Sequence, residues 1–146
     1  MARGYPDFFG QAKFSNWGPQ QIQTELNNTI PNLTTRSIFL LENPSIIYGG
    51  HLYLSHDTNF GDLVLTLTID GTIFISEAIQ YFKTTSWVED NNLPISLIYY
   101  DTNDVYATFS FSHAYNFGVS FQIELRESGI LTEGHADGWL WYSEAI

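Results

Sequence analysis

The sequence predicts an all-β protein, an antiparallel β-sandwich of jelly-roll type, and three observations carry that prediction. Apolar and polar residues alternate with a period of two along short runs, as in Leu63, Leu65, Leu67 and Ile69 against Val64, Thr66 and Thr68. Turn-forming stretches such as Glu42-Asn43-Pro44, Asp70-Gly71 and Asp101-Thr102-Asn103-Asp104 separate these runs, which is the spacing of a sandwich. Charged residues make up only 14% of the chain, and the polar remainder is largely Asn, Thr, Ser and Gln, which suits strand surfaces better than solvent-facing helices.

Residues 1–18 carry Tyr5, Phe8, Phe9, Phe14 and Trp17 among Gly4, Pro6, Gly10 and Gly18 at no regular period. They read as an extended aromatic arm ahead of one sandwich domain over 19–146. Such a segment can neither stay in a ladder nor form an amphipathic helix, so these five rings are the predicted partner-binding residues. Burying two Phe side chains is worth about 3–6 kcal/mol before ordering costs.

Gln20 to Leu26 predicts a half-exposed strand, with Ile22, Thr24 and Leu26 on one side and Gln21, Gln23 and Glu25 on the other. Arg36 to Leu41 and Ser45 to Ser55 are strands joined at Pro44, and Gly49-Gly50 marks a bulge or the close approach of another backbone. Asp70-Gly71 joins Leu63–Ile69 to Thr72–Ile75 as a hairpin. A short helical segment is expected near 76–83, with Ser76 as N-cap and Glu77 near the positive end of the dipole. Ile95–Tyr100 and Val105–Phe111 form a second hairpin. Phe117 to Leu125 reads as one strand, with Phe117, Val119, Phe121, Ile123 and Leu125 on its apolar side, and Gly138–Tyr142 as the last.

Five basic residues against 16 acidic ones give a formal charge of −11, which argues against nucleic acid and anionic membranes as partners. The absence of Cys excludes disulfides, thiolate catalysis and Cys-based metal sites. The start lacks an apolar h-region and no 18-residue apolar run exists, so no signal peptide is expected. The sequons at Asn27 and Asn32 are then accidental.

His51, His56, His113 and His135 fall in no metal motif, and on one regular strand His51 and His56 would face opposite ways. Asp57 to Asp62 superficially resembles a calcium loop, but its Gly stands fifth and Thr68 takes the twelfth place, so a β-turn is the better reading. There is no GxSxG elbow, and Gly49-Gly50 lacks the strand-to-helix context of a phosphate loop. The expectation is a non-enzymatic, metal-independent domain with no cofactor.

Aromatic residues hold the remaining functional content. Tyr100, Asp101, Asn103, Trp139 and Trp141 are candidate glycan-binding residues, pairing stacking rings with hydrogen-bonding loop tips. The chain also has more large rings than one core comfortably hides, which predicts a homo-oligomer. The arm Gly4-Tyr5-Pro6-Asp7-Phe8-Phe9-Gly10, the Tyr48-Gly49-Gly50 step and the closing Gly138-Trp139-Leu140-Trp141-Tyr142 resemble the small β-sandwich structural proteins of bacteriophage particles. Capsid decoration, head-fibre and tail-associated subunits are of this kind. The resemblance implies a multicopy, trimeric assembly component, made in the host cytoplasm and packed with other virion proteins. A carbohydrate-binding β-sandwich module is the alternative, and fold alone does not choose between them.

Overall fold

Ten strands form among the residues that the computed structural model describes, 17–85, 94–111 and 115–146. They are β1 (Trp17–Ile30), β2 (Thr35–Leu41), β3 (Ser45–His56), β4 (Leu63–Ile69) and β5 (Thr72–Ala78). After one short helix, α1 (Ile79–Thr84), come β6 (Ser96–Asp101), β7 (Tyr106–Ser110), β8 (Tyr115–Phe117), β9 (Phe121–Glu127) and β10 (Gly134–Ala145). A six-stranded sheet has the order β1-β10-β3-β7-β6, with β8 also on β3, and a four-stranded sheet has the order β2-β9-β4-β5.

Every pairing is antiparallel, and the pairs nest: β1 with β10, β2 with β9, β3 with β7 and β4 with β5. Successive pairs alternate between the two sheets. A nested ribbon wound in this way is a jelly roll, so the predicted fold class is the observed one.

The core lies between the sheets, because each strand turns one parity inward. Leu63, Leu65 and Leu67 of β4 and Phe121, Ile123 and Leu125 of β9 face Leu52 and Leu54 of β3, Phe109 of β7 and Leu140 of β10, all fully or almost fully buried. Phe111 meets Phe39 and Phe121 edge-on at 6.0 and 6.2 Å between centroids, the favoured geometry for rings whose edges are positive and faces negative.

Three local rules explain most of the joints. Asp70 and Gly71 have φ of 52° and 79°, the pair of left-handed residues that a two-residue hairpin needs. Opposite Trp141 and Tyr142 the register slips from Gly49 to Ile47, so the predicted bulge is present. At the next residue a Cβ on Gly50 would stand 2.5 Å from the Trp139 carbonyl, and the two backbones pack there because Gly has none.

Four details differ from expectation. Ser76 and Glu77 belong to β5, not to a helix: Ser76 sits opposite Thr66, their hydroxyls 2.7 Å apart, and the strand runs on to Ala78. Helix α1 starts three residues later than Ser76, without a side-chain cap, and is anchored by buried Ile79 and Phe82.

The expected single strand from Phe117 to Leu125 is two strands on different sheets. Phe117 pairs with Ser45 in one, while Phe121 pairs with Leu41 and Ile69 in the other. Between them the Asp70 carboxylate accepts the N–H groups of Val119 at 2.7 Å, Ser120 at 3.1 Å and Gly118 at 3.3 Å. Those donors, Ser120 foremost, hold the Asp70 carboxyl below its usual range, and the turn leaves Val119 exposed.

Along β1 the apolar residues face outward: Ile22 is 64% and Leu26 74% exposed. The inward parity is polar because β1 is an edge strand passing over β2. There Gln23 Oε1 accepts the Leu40 N–H at 3.0 Å and its Nε2 donates to the Leu40 carbonyl at 3.2 Å, joining the sheets. Trp17 and Gly18, read from sequence as part of the arm, lie in β1, and Trp17 pairs with Ala145.

Candidate docking face

The registers place a row of rings on the outer side of the six-stranded sheet, because residues directly opposite in an antiparallel pair share a face. Ile22 of β1 is opposite Trp141 of β10, and Thr24 is opposite Trp139, which is itself opposite His51 of β3. The next row runs Asp137, Tyr53, Thr108 and Tyr99, and the one after it His135, Ser55, Tyr106 and Asp101.

Neighbouring rings on this face touch. Trp141 lies 5.1 Å from Tyr48, Trp139 5.4 Å from His51, His51 5.7 Å from Tyr53 and Tyr99 5.9 Å from Tyr106, centroid to centroid. His51 Nδ1 also stands 2.9 Å from the Tyr53 hydroxyl, which fixes both rings. The result is a pre-ordered aromatic surface with few carboxylates: Asp137, opposite Tyr53 and accepting the Asn27 N–H at 2.7 Å, and Asp101 at one end.

The outer side of the four-stranded sheet has the opposite character. Its rows pair Thr66 with Glu124, Thr68 and Leu40 with Gln122, and Val64 with Arg126. Polar and charged side chains predominate there, with Ile73, opposite Thr68, and Leu40 standing exposed among them.

The candidate glycan residues do not form one site. Trp139 and Trp141 share the aromatic face, two residues apart on β10. Tyr100, opposite Ala107, points to the other side of the sheet, where Phe60 lies 5.5 Å from its ring and the Lys83 ammonium 5.0 Å above it. Burial raises the Tyr100 hydroxyl above its usual range. Its ring is therefore occupied by its own chain, beside a cavity of about 100 Å³ lined by Thr58, Asn59, Gln80 and Thr102.

Asp101 is committed to its own turn, accepting the N–H groups of Asn103 at 2.8 Å and Asp104 at 3.3 Å, which lower its carboxyl. Its charge in turn raises the exposed Tyr99 hydroxyl. Asn103 stands exposed in the β6–β7 turn, away from both tryptophans in sequence and pairing. Of the candidate partner-binding residues, Tyr5, Phe8, Phe9 and Phe14 lie outside the described residues, as does His113. Trp17 is half-buried at the start of β1.

One arrangement has the order of a catalytic triad, with the Thr58 hydroxyl 3.4 Å from His56 Nδ1 and His56 Nε2 on Glu127. It lacks the free lone pair of a general base. His56 Nδ1 already accepts the N–H groups of Thr58 at 3.0 Å and Asn59 at 3.1 Å, so it cannot also take a proton from the hydroxyl.

No family model and no curated protein matches the chain. Among solved structures it is similar to a chain of infectious bursal disease virus, Gx strain, with 17% identity and a TM-score of 0.41 over 88% of this chain and 33% of that one. The VP2 subviral particle of infectious bursal disease virus follows at 18% identity and a TM-score of 0.37, covering 87% of this chain and 30% of that one. A serine protease of Aeromonas sobria has 10% identity and the same TM-score of 0.37, over 89% of this chain and 27% of that one. This chain thus spans a third or less of their length, and likeness at this level assigns no function.

Proposed function

We propose that this chain is a non-catalytic assembly subunit of a virus particle, and that copies of it meet through the outer face of the six-stranded sheet. The observation that carries the reading is the run of touching aromatic rings on one outer face, where the other is mainly polar with isolated exposed Leu40 and Ile73. Aromatic rings held in place before contact lose little entropy when covered, which is why they dominate stable interfaces. Chains of net charge −11 repel one another, so copies that associate do so most readily on the face with few carboxylates. The edge of β1 beside that face adds unpaired backbone groups and the exposed Ile22 and Leu26. The virion setting, and the finer role as a decoration, fibre or tail-associated subunit, rest on the sequence resemblance.

A sugar-binding module is the second reading, favoured by Trp139 and Trp141 standing on one face with Thr24 and Tyr53 hydroxyls beside them. Light scattering at micromolar concentration separates the two. The account expects a whole-number multiple of the 16.7 kDa chain mass, reduced to the single chain by Trp141→Lys. A strictly monomeric wild type that binds defined oligosaccharides on a glycan array would overturn the assembly reading in favour of the module.

A further inference from the structure

Three side chains that the sequence places far apart converge at one end of the sandwich. His56 ends β3, Asp62 precedes β4 and Glu127 ends β9, and their ligand-capable atoms all lie within 4.8 Å of one another. Glu127 is 0% exposed. Among the described residues neither carboxylate pairs with a Lys or Arg side chain.

His56 Nδ1 accepts two backbone N–H groups, so the proton that faces Glu127 is on Nε2, which donates to Glu127 Oε2. The other carboxylate oxygen, Oε1, accepts the Gly129 N–H at 2.7 Å. Glu127 is thus held as an acceptor, and beside it stands a second carboxylate, Asp62, whose side chain takes no hydrogen bond from the described residues. Burying such charge without a positive partner is costly.

Two further observations point to what balances it. The Thr132 hydroxyl oxygen is buried and has no hydrogen-bond partner. A Cβ on Gly129 would come within 3.0 Å of Thr132 Oγ1, Asp62 Oδ2 and Glu127 Oε1 together, so three oxygens from three residues converge beside the Gly129 backbone, where no side chain keeps them apart. From this geometry we infer that Asp62, Glu127 and Thr132 hold a hard divalent cation, with Ca²⁺ the best match.

The ligand chemistry selects the ion. All three donors are oxygens, and the one nearby nitrogen carries a proton, which disfavours zinc and leaves His56 to position the Glu127 carboxylate. Calcium tolerates an irregular oxygen shell built partly from water, whereas magnesium demands a near-ideal octahedron. The site departs from the metal independence expected from sequence. It is also unlike the loop pattern considered there, since Asp62 alone of that stretch contributes a ligand. A bound ion would tie together the ends of β3, β4 and β9 and the turn at 129–132.

The test compares thermal melts of the full chain in CaCl₂ and in EDTA, with calorimetric titration of CaCl₂ into chelator-treated protein. Calcium at about 100 times its Kd is expected to raise Tm by about 5–10 °C. Asp62→Asn, at a half-buried position outside the strands, is expected to fold, to abolish that shift and to remove the calorimetric heat. Thr132→Val is expected to weaken binding without abolishing it. Coincident wild-type melts with no heat of binding would overturn the inference, as would a calcium shift that survives Asp62→Asn unchanged.

Discussion

Gly50 illustrates how far a single residue can be read in advance. A Gly pair inside a β-branched run signals either a bulge or a close backbone approach, and both occur within two residues here. Even the smallest added side chain must displace the Trp139 carbonyl or the Phe111 ring. Gly50→Ala is therefore expected to destabilise the fold by roughly 1–3 kcal/mol, as overpacking does, measured as a shift in the urea midpoint with unchanged slope. Asp62 shows the opposite case. Its own segment drew attention as an imperfect calcium loop, but its neighbours Glu127, Gly129 and Thr132 lie some 65 residues away in sequence. No local pattern announces them, because only the pairing of β4 with β9 brings them together.

Elements were legible where turn chemistry and alternation agreed. The Asp70-Gly71 hairpin satisfies both, and its strands and turn fall where expected. Alternation misled where tertiary contacts reassigned the faces. β1 looks like a half-buried strand with Ile22 and Leu26 inward, yet Gln23 turns in because it bonds the Leu40 backbone. In the same way, Val119 continues the apolar parity of Phe117 and Phe121 but falls in a turn gathered by Asp70. Trp17 belongs to β1, so the segment to remove in testing the expected arm is 1–16. Deletion of those residues is expected to leave a cooperative melt and near-ultraviolet dichroism intact while reducing self-association in sedimentation velocity. Loss of the cooperative melt would mean that Phe8, Phe9 and Phe14 serve the domain's own core.

At the scale of the whole molecule, short two-faced strands with regular turns left little choice but a sandwich, and nested pairing makes it a jelly roll. What alternation cannot tell is the character of the two outer faces. Each strand announces which residues lie together, but only the sheet order sets Trp139 of β10 beside His51 of β3, and Trp141 beside Ile22 of β1. The central claim is that this aromatic face is where copies meet. Hydrogen exchange measured by mass spectrometry on dilute and concentrated protein tests it most directly, because it reports which strands association protects. The account predicts that raising the concentration slows exchange along β1, β10 and the adjoining part of β3, while β5 on the four-stranded sheet is unchanged. Exchange independent of concentration, or protection confined to β2 and β5, would contradict it.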